Sequence, residues 1–412
     1  MSGHHCRFCF SELRQSFCDL GMSPLSNAFV DSQRLAESEL FFPLHVYVCH
    51  ECWLVQLPEH ESPQQIFDDR YAYFSSYSDS WLAHARRYTE DMAARFGLGA
   101  HSLVVEIASN DGYLLQYFGG RGVPALGIEP AENCAIVARG KGVETLTRFF
   151  GVSTARELAA QGRHADLLLG NNVLAHVPDI NDFVAGLPLL LKPNGVVTME
   201  FPHLLNLIRL NQFDTIYHEH YSYLSLTTVE RIFAVHGLVV FDVQQLPTHG
   251  GSLRIFARHA ANAGEPALPA VTALREAEQE AGLADPAVYG AFGQRVREVK
   301  FKLLEFLIGA AREGKKVWGY GAPAKGNTLL NYCGIRGDLI VATVDRSPHK
   351  QGKYLPGTHI PIRSPETVSE AKPDYLLILP WNLQEEIATQ MAHVRDWGCR
   401  FVVPIPDVRI LP

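Results

Sequence analysis

Short apolar runs alternate with amphipathic segments along most of the chain. LVVEIA, ALGIEP, ADLLLGNN and GVVTMEFP, between residues 103 and 202, read as strands separated by helical stretches. That alternation predicts a parallel sheet wound by right-handed crossovers. The rhythm returns near the C-terminus in KKVWGYG, DLIVATVD, YLLIL and CRFVVPIP. Between the halves, ANAGEPALPAVTALREAEQEAG leads into an amphipathic helix predicted to carry Val288, Phe292, Val296, Val299, Leu303 and Phe306 on one face. Upstream, ESPQQIFDDRYAYFSSYSDSWLAHARRYTEDMAARFG is helical and tyrosine-rich, and HVYVCHECWLVQL alternates like strands. The expected division is a small module over 1–62, an α/β domain with a helical lead-in over 63–262, and a second α/β domain over 263–412.

Length and composition agree with several domains: 412 residues exceed what one core usually supports, and 47% hydrophobic with 19% charged residues describes a globular chain. A formal net charge of -8 and the absence of any Lys/Arg run argue against a nucleic-acid partner. The longest apolar stretches fall short of the roughly 20 residues a membrane span needs. The N-terminal MSGHHCRFCF lacks the apolar core of a signal peptide, so a cytoplasmic location and no membrane partner are expected.

Two Cys-x-x-Cys pairs, Cys6 with Cys9 and Cys49 with Cys52, stand about 40 residues apart. Two such pairs on tight turns can place four thiolates tetrahedrally around Zn²⁺, and a closed four-sulfur shell makes the metal structural. Cys18, His5 and His50 are alternative ligands. Cys134, Cys333 and Cys399 read as ordinary buried thiols.

VVEIASNDGYLL is a strand, a turn and a helix, a geometry that brings backbone amides close to a ligand. Glu129 ends the next strand, where a carboxylate accepts from both hydroxyls of a ribose. Asn171, Asn172 and His176 follow the third. Glu106 at the start of the turn, the acid after the second strand and the Asn-rich third strand resemble S-adenosylmethionine-dependent methyltransferases more than NAD enzymes. Candidate cofactor contacts are Glu106, Ala108, Ser109, Asn110, Asp111, Gly112, Glu129, Pro130, Asn171 and Asn172. Ala108 departs from the pattern, since glycine usually stands there and a methyl group narrows the allowed backbone.

YHEHYSYLS, residues 217–225, crowds two histidines, a glutamate and three tyrosines into nine positions. Beside a methyl donor such a segment acquires a purpose. A carbon next to a ketone becomes nucleophilic when a base removes its proton and a donor stabilises the enolate oxygen.

In order along the chain, CxxC…CxxC, VVEIASNDG, YHEHYSYLS, THGGSLR and WGYGAPAKGN resemble the sugar C-methyltransferases that act on nucleotide-linked 4-keto deoxysugars, over essentially the whole chain. The fold class this implies is α/β: a small zinc-binding module, a central Rossmann-like S-adenosylmethionine methyltransferase domain and a C-terminal Rossmann-like α/β domain. By the resemblance His220 is the base at C-3, Tyr217 and Glu219 stand beside it, His176 lies near the sugar, and Tyr71 approaches the donor or sugar. Lys325, Asn327 and Thr328, then Asp345, Lys350, Gln351 and Lys353, are expected to hold the nucleotide. Gly250 and Gly251 suggest a strand bulge, and Ser252 and Arg254 are candidates to face the sugar. The cofactors expected are S-adenosylmethionine and structural Zn²⁺, with a dTDP-linked 4-keto sugar as partner and a monomer or weak homo-oligomer as the assembly. Alternatives are a GDP- or CDP-linked sugar, O- or N-methylation, and a non-catalytic zinc-containing nucleotide- or RNA-binding protein.

Overall fold

The computed structural model describes residues 4–62, 74–262 and 266–411, which form three sheets. In the N-terminal sheet β1 (Gln15–Ser23), β2 (Phe42–Val48) and β3 (Val55–Gln56) run antiparallel. In β2 the buried residues are Leu44, Val46 and Val48, the period-2 face that the sequence suggested. β1 was not expected. Its register shifts twice, between Ser16 and Cys18 and between Asp19 and Met22, so its buried positions do not alternate. The fourth strand comes from the crowded segment itself: Ser222–Tyr223 (β9) pairs with β3, setting Tyr223 opposite Val55 and Ser222 opposite Gln56.

The central sheet contains β4 (Val104–Ile107), β5 (Ala125–Ile128), β6 (Glu144–Leu146), β7 (Ala165–Asn171), β8 (Leu191–Pro202), β10 (Leu238–Leu246) and β11 (Ser252–His259). Its order is β6-β5-β4-β7-β8-β11-β10. The winding reverses between β4 and β7, the crevice where open α/β sheets bind ligands. The sheet is not wholly parallel as expected, because β11 runs antiparallel to both β8 and β10. The connection is the reason: the short turn Thr248–Gly250 leaves no room for a crossover, so the chain returns as a hairpin. The two glycines therefore serve this turn and not a strand bulge. Gly251 has φ 114°, and a Cβ there would lie 2.3 Å from the Asn206 amide nitrogen.

The helix Asp79–Phe96 covers this crevice. Ser78 caps its first turn by accepting from the Trp81 N–H, Gly97 ends it at φ 61°, and Trp81, Ala85, Tyr88 and Met92 form its buried stripe.

The C-terminal sheet holds β12 (Val317–Tyr320), β13 (Thr343–Val344), β14 (Ile362–Arg363), β15 (Tyr375–Ile378), β16 (Arg400–Val403) and β17 (Arg409–Ile410) in the order β14-β13-β12-β15-β16-β17, with β17 alone antiparallel. The long helix leading into it runs Phe292–Arg312 and buries Phe292, Val296, Val299, Leu303, Leu307 and Ala310. Two of the expected stripe residues differ. Val288 belongs to a separate short helix, Pro286–Gly290, and Leu307 takes the buried place assigned to Phe306.

The N-terminal module is wedged between the other two sheets. Phe17, Leu44 and Val46 share a core with the long helix, and Phe17 stacks on Phe292 at 4.6 Å, whereas Phe8, Cys49 and Leu54 pack into the core of the central sheet. Among the described residues no helix is long and apolar enough to cross a membrane.

Candidate active site

The two cysteine knuckles fold alike. In each, the N–H of the residue just after the second cysteine returns to the first: Phe10 N–H donates to Cys6 O and Trp53 N–H to Cys49 O, and both Phe10 and Trp53 have φ 64°. The thiols converge, with Cys6 3.5 Å from Cys52, Cys9 3.5 Å from Cys49, and all four sulfurs within 4.8 Å of one another. Tetrahedral Zn–S bonds of about 2.3 Å require sulfurs about 3.8 Å apart, so the donor set fits zinc. The Gln56 amide donates to the Cys6 sulfur, orienting it. Cys18 is excluded from the shell by its place in the apolar core, and burial pushes its thiol up to about 12.

A cavity of about 990 Å³ opens where the central and C-terminal sheets face each other. At its cofactor end the loop after β4 lies over β5. Ala108 adopts the left-handed conformation at φ 55° despite its methyl group, held by its N–H donating to Ile128 O, and Asn110 follows at φ 48°. Glu129, ending β5, accepts from Asn110 N–H at 2.8 Å and Ala131 N–H at 2.9 Å. Burial pushes its carboxyl up to about 7 against those two bonds. Ala108, Asn110, Glu129, Pro130, Asn171 and Asn172 reach the cavity wall. Ser109, Asp111 and Gly112 lie beneath it: the Ser109 side chain sits over Gly127, Asp111 pairs with Lys141, and Gly112 is pressed on Ala138 and Val143. Glu106 is fully buried behind the loop, and burial pushes it well above the carboxylate range. Both amide atoms of the buried Asn171 lack a protein partner at this wall. That unspent donor and acceptor, with the carboxylate at the end of β5, suits an adenosine-bearing cofactor.

At the other end stands the crowded segment, which divides its side chains between two faces. Tyr217, Glu219 and His220 line the cavity with His176, while His218 and Tyr221 turn to the N-terminal module. The His220 Nδ1 lies 2.7 Å from Thr215 O. A carbonyl only accepts, so Nδ1 carries the hydrogen and Nε2 keeps its lone pair. Burial, reinforced by His176, holds His220 well below its ordinary pKa and therefore neutral. Its ring lies 3.9 Å from that of Tyr217 and meets His176 edge-on at 4.7 Å. Glu219 is pushed up to about 7 by burial, opposed by a bond from Asn27 and by Lys350.

The expected nucleotide and sugar contacts divide. Lys325, Lys350 and Arg254 reach the cavity. Asn327, Thr328, Asp345, Gln351 and Ser252 do not, because each is committed to the protein backbone. Asn327 donates to Ser26 O and Thr328 to Ile216 O. Asp345 accepts from Ala322 and Ser347 N–H, Gln351 donates to Asp345 O, and Ser252 to Thr248 O. Lys353 stands outside, 4.0 Å from Asp31. Tyr71 lies outside the described residues.

Among the polar residues that escaped the sequence reading, Asn27, His84 and His249 line the cavity, and Glu200 lies behind it against His84. Glu200 alone left a sign, a carboxylate inside the apolar run GVVTMEFP.

The switch-point crevice and its strand order define a methyltransferase-type α/β fold, joined here to a four-cysteine module. Family profiles agree: a zinc binding domain matches residues 6–67, a methyltransferase domain 81–243, and a C-methyltransferase C-terminal domain 247–406. The C-methyltransferase NovU of Streptomyces niveus is 39% identical over 406 residues, 98% of this chain and 96% of its own. A ubiquinone biosynthesis O-methyltransferase of Azorhizobium caulinodans is 29% identical over 27% of this chain and 47% of that one. The solved CcbJ methyltransferase of Streptomyces caelestis covers 47% of this chain and 98% of its own at 14% identity, with a TM-score of 0.36. The chain belongs to the C-methyltransferase family. It is an S-adenosylmethionine-dependent enzyme with a structural zinc module.

Proposed function

We propose that the enzyme methylates C-3 of a dTDP-linked 4-keto-deoxysugar, with His220 as the base that forms the enolate. The observation that carries this reading is the bond between His220 Nδ1 and Thr215 O, which leaves Nε2 as the proton acceptor of a ring that lines the cavity. Nε2 takes the C-3 hydrogen as a proton, and the C–H electrons form the C-3/C-4 double bond as negative charge moves to the C-4 oxygen. S-adenosylmethionine supplies an electrophilic methyl group on sulfur. The enolate carbon would then bond to that methyl as the sulfur–methyl bond breaks, its electron pair staying on sulfur so that S-adenosylhomocysteine leaves, and the ketone would be restored.

This chain's residues position the substrate and manage the proton. The Tyr217 ring packed on His220 stabilises the imidazolium once it forms, as a cation above an aromatic face. His176 and Glu219 border the same space, and Lys325 and Lys350 supply positive charge for a diphosphate. O- or N-methylation would need no base directed at a carbon acid.

Incubation with the 4-keto sugar in D₂O, without methyl donor, tests the reading. Deuterium should enter C-3 with the native enzyme and not with His220→Ala. Exchange that survives in the variant removes His220 as the base. A panel of dTDP-, GDP- and CDP-linked 4-keto sugars assigns the nucleotide.

A further inference from the structure

Between β1 and β2 the chain leaves the zinc module and reaches the C-terminal domain. Ser26 O accepts from the Asn327 amide at 2.6 Å, Val30 and Tyr354 exchange backbone hydrogen bonds of 3.0 and 2.8 Å, and Glu39 accepts from Gly357 N–H at 2.9 Å. Within this strap Asn27 turns inward, and its Nδ2 donates to Glu219 Oε1 at 2.5 Å. Of the described residues before residue 74, Asn27 is the only one on the cavity wall.

We propose that Asn27 is a positioning residue of the active site, through which the zinc module orients the Glu219 carboxylate beside Tyr217 and His220. The catalytic part of this inference rests on the enolate reading given above. The geometry explains why the strap is pinned on both sides of Asn27: an amide on a free loop would not hold one carboxylate oxygen. Asn27 is only partly buried, whereas Glu219 is 7% exposed, so Glu219 depends on its few polar neighbours. Those acting on it are Asn27 from the strap, Lys350 from the loop after β13 and Tyr221 in its own segment, while His176 from the turn after β7 bonds the Glu219 backbone.

Removing the amide removes an influence that favours the ionised carboxylate, so the Glu219 titration must move up from about 7. Asn27→Asp adds a like charge and must move it further, whereas Asn27→Gln keeps a donor and should restore part of the native value. A hydrogen bond to a charged group is worth about tenfold or more in an equilibrium, so kcat should fall about tenfold in Asn27→Ala with the acidic limb shifted to higher pH.

The experiment is a carbon-13 NMR titration of carboxyl-labelled glutamate in the unliganded full-length enzyme. The Glu219 signal is assigned with Glu219→Gln, and kcat and KM are measured across pH, with zinc content and melting temperature as folding controls. A raised Glu219 titration in Asn27→Ala, with zinc retained, supports the assignment. An unmoved titration overturns it whatever reaction the enzyme catalyses. A moved titration in an enzyme whose native form exchanges no C-3 hydrogen would overturn the enolate reading and leave the Asn27–Glu219 link standing.

Discussion

Arg254 Nη2 donates to Glu200 Oε2 across 3.0 Å, behind the cavity wall, where the carboxylate has no exposure to solvent. His84 donates to the same carboxylate at 3.0 Å, and Tyr88 lies under the guanidinium at 4.6 Å. Burial alone would push Glu200 up. His84 and Arg254 outweigh it and hold the carboxyl below its ordinary value.

Arg254→Ala should therefore be costly, since it leaves a buried carboxylate without its cation, a loss of about 3–5 kcal/mol. Glu200→Gln with Arg254→Met removes both charges and should regain most of that stability. Chemical denaturation of the native enzyme and the two variants checks both statements. Because the Glu200 pKa is depressed in the fold, its contribution is present above the ordinary value of 4.5 and is lost as pH falls through the folded value.

At the opposite end Glu129 fixes the loop after β4 while facing the cavity. Its carboxyl titrates near 7, and ribose hydroxyls donate best to the ionised form. Binding of S-adenosylhomocysteine should weaken as pH falls below about 7 in the native enzyme. Glu129→Gln should bind about tenfold to a hundredfold more weakly, as expected for a lost charged hydrogen bond, and with little pH dependence. Calorimetric titration at pH 6 and 8 tests both effects.

The sequence made the locally encoded parts readable. Two Cys-x-x-Cys turns, the period-2 face of β2 and the alternating strands of both α/β halves each depend on neighbours a few positions away. β9 was hidden because a two-residue strand has no period, and its partner Val55 lies more than 160 positions earlier. Asn327 and Thr328 look like phosphate donors, but an amide or hydroxyl that binds phosphate is the same group that holds a carbonyl. Only the fold assigns them to Ser26 and Ile216. Asn27 gave no signal, being a single amide in SPLSNAFV whose partner is 192 residues away.

The shared ladder of β3 and β9 makes the metal matter to a distant cavity. Zinc closes the turn between β2 and β3, and β3 in turn holds the end of the segment that carries His220. Chelation, or Cys49→Ser with Cys52→Ser, should release one zinc per chain and lower kcat strongly while leaving S-adenosylhomocysteine binding largely intact. The cofactor wall at β4, β5 and β7 does not include the module. Metal analysis, calorimetry and turnover on one preparation distinguish this from global unfolding, which would abolish binding as well.

His218 and His220 stand two residues apart and should respond oppositely to the same substitution. His218 faces Phe42, His60 and Pro43 O, away from the cavity, and burial holds it down to about 4. The unfolded chain takes up a proton near 6.5 that folded His218 refuses until about 4, so its presence costs stability progressively as pH falls through that window. His218→Phe replaces the ring with an apolar one of similar shape. It should retain turnover, and its melting temperature should drop less than that of the native enzyme between pH 7 and 5. The slope should shrink without vanishing, because His176 and His249 are also held near 4. His220→Phe, in contrast, should fold and bind cofactor yet lose turnover by about 10²–10⁴, the range for a missing general base. Equal loss of turnover in the two variants would mean that the segment acts as a single packed wall and not as two separate faces.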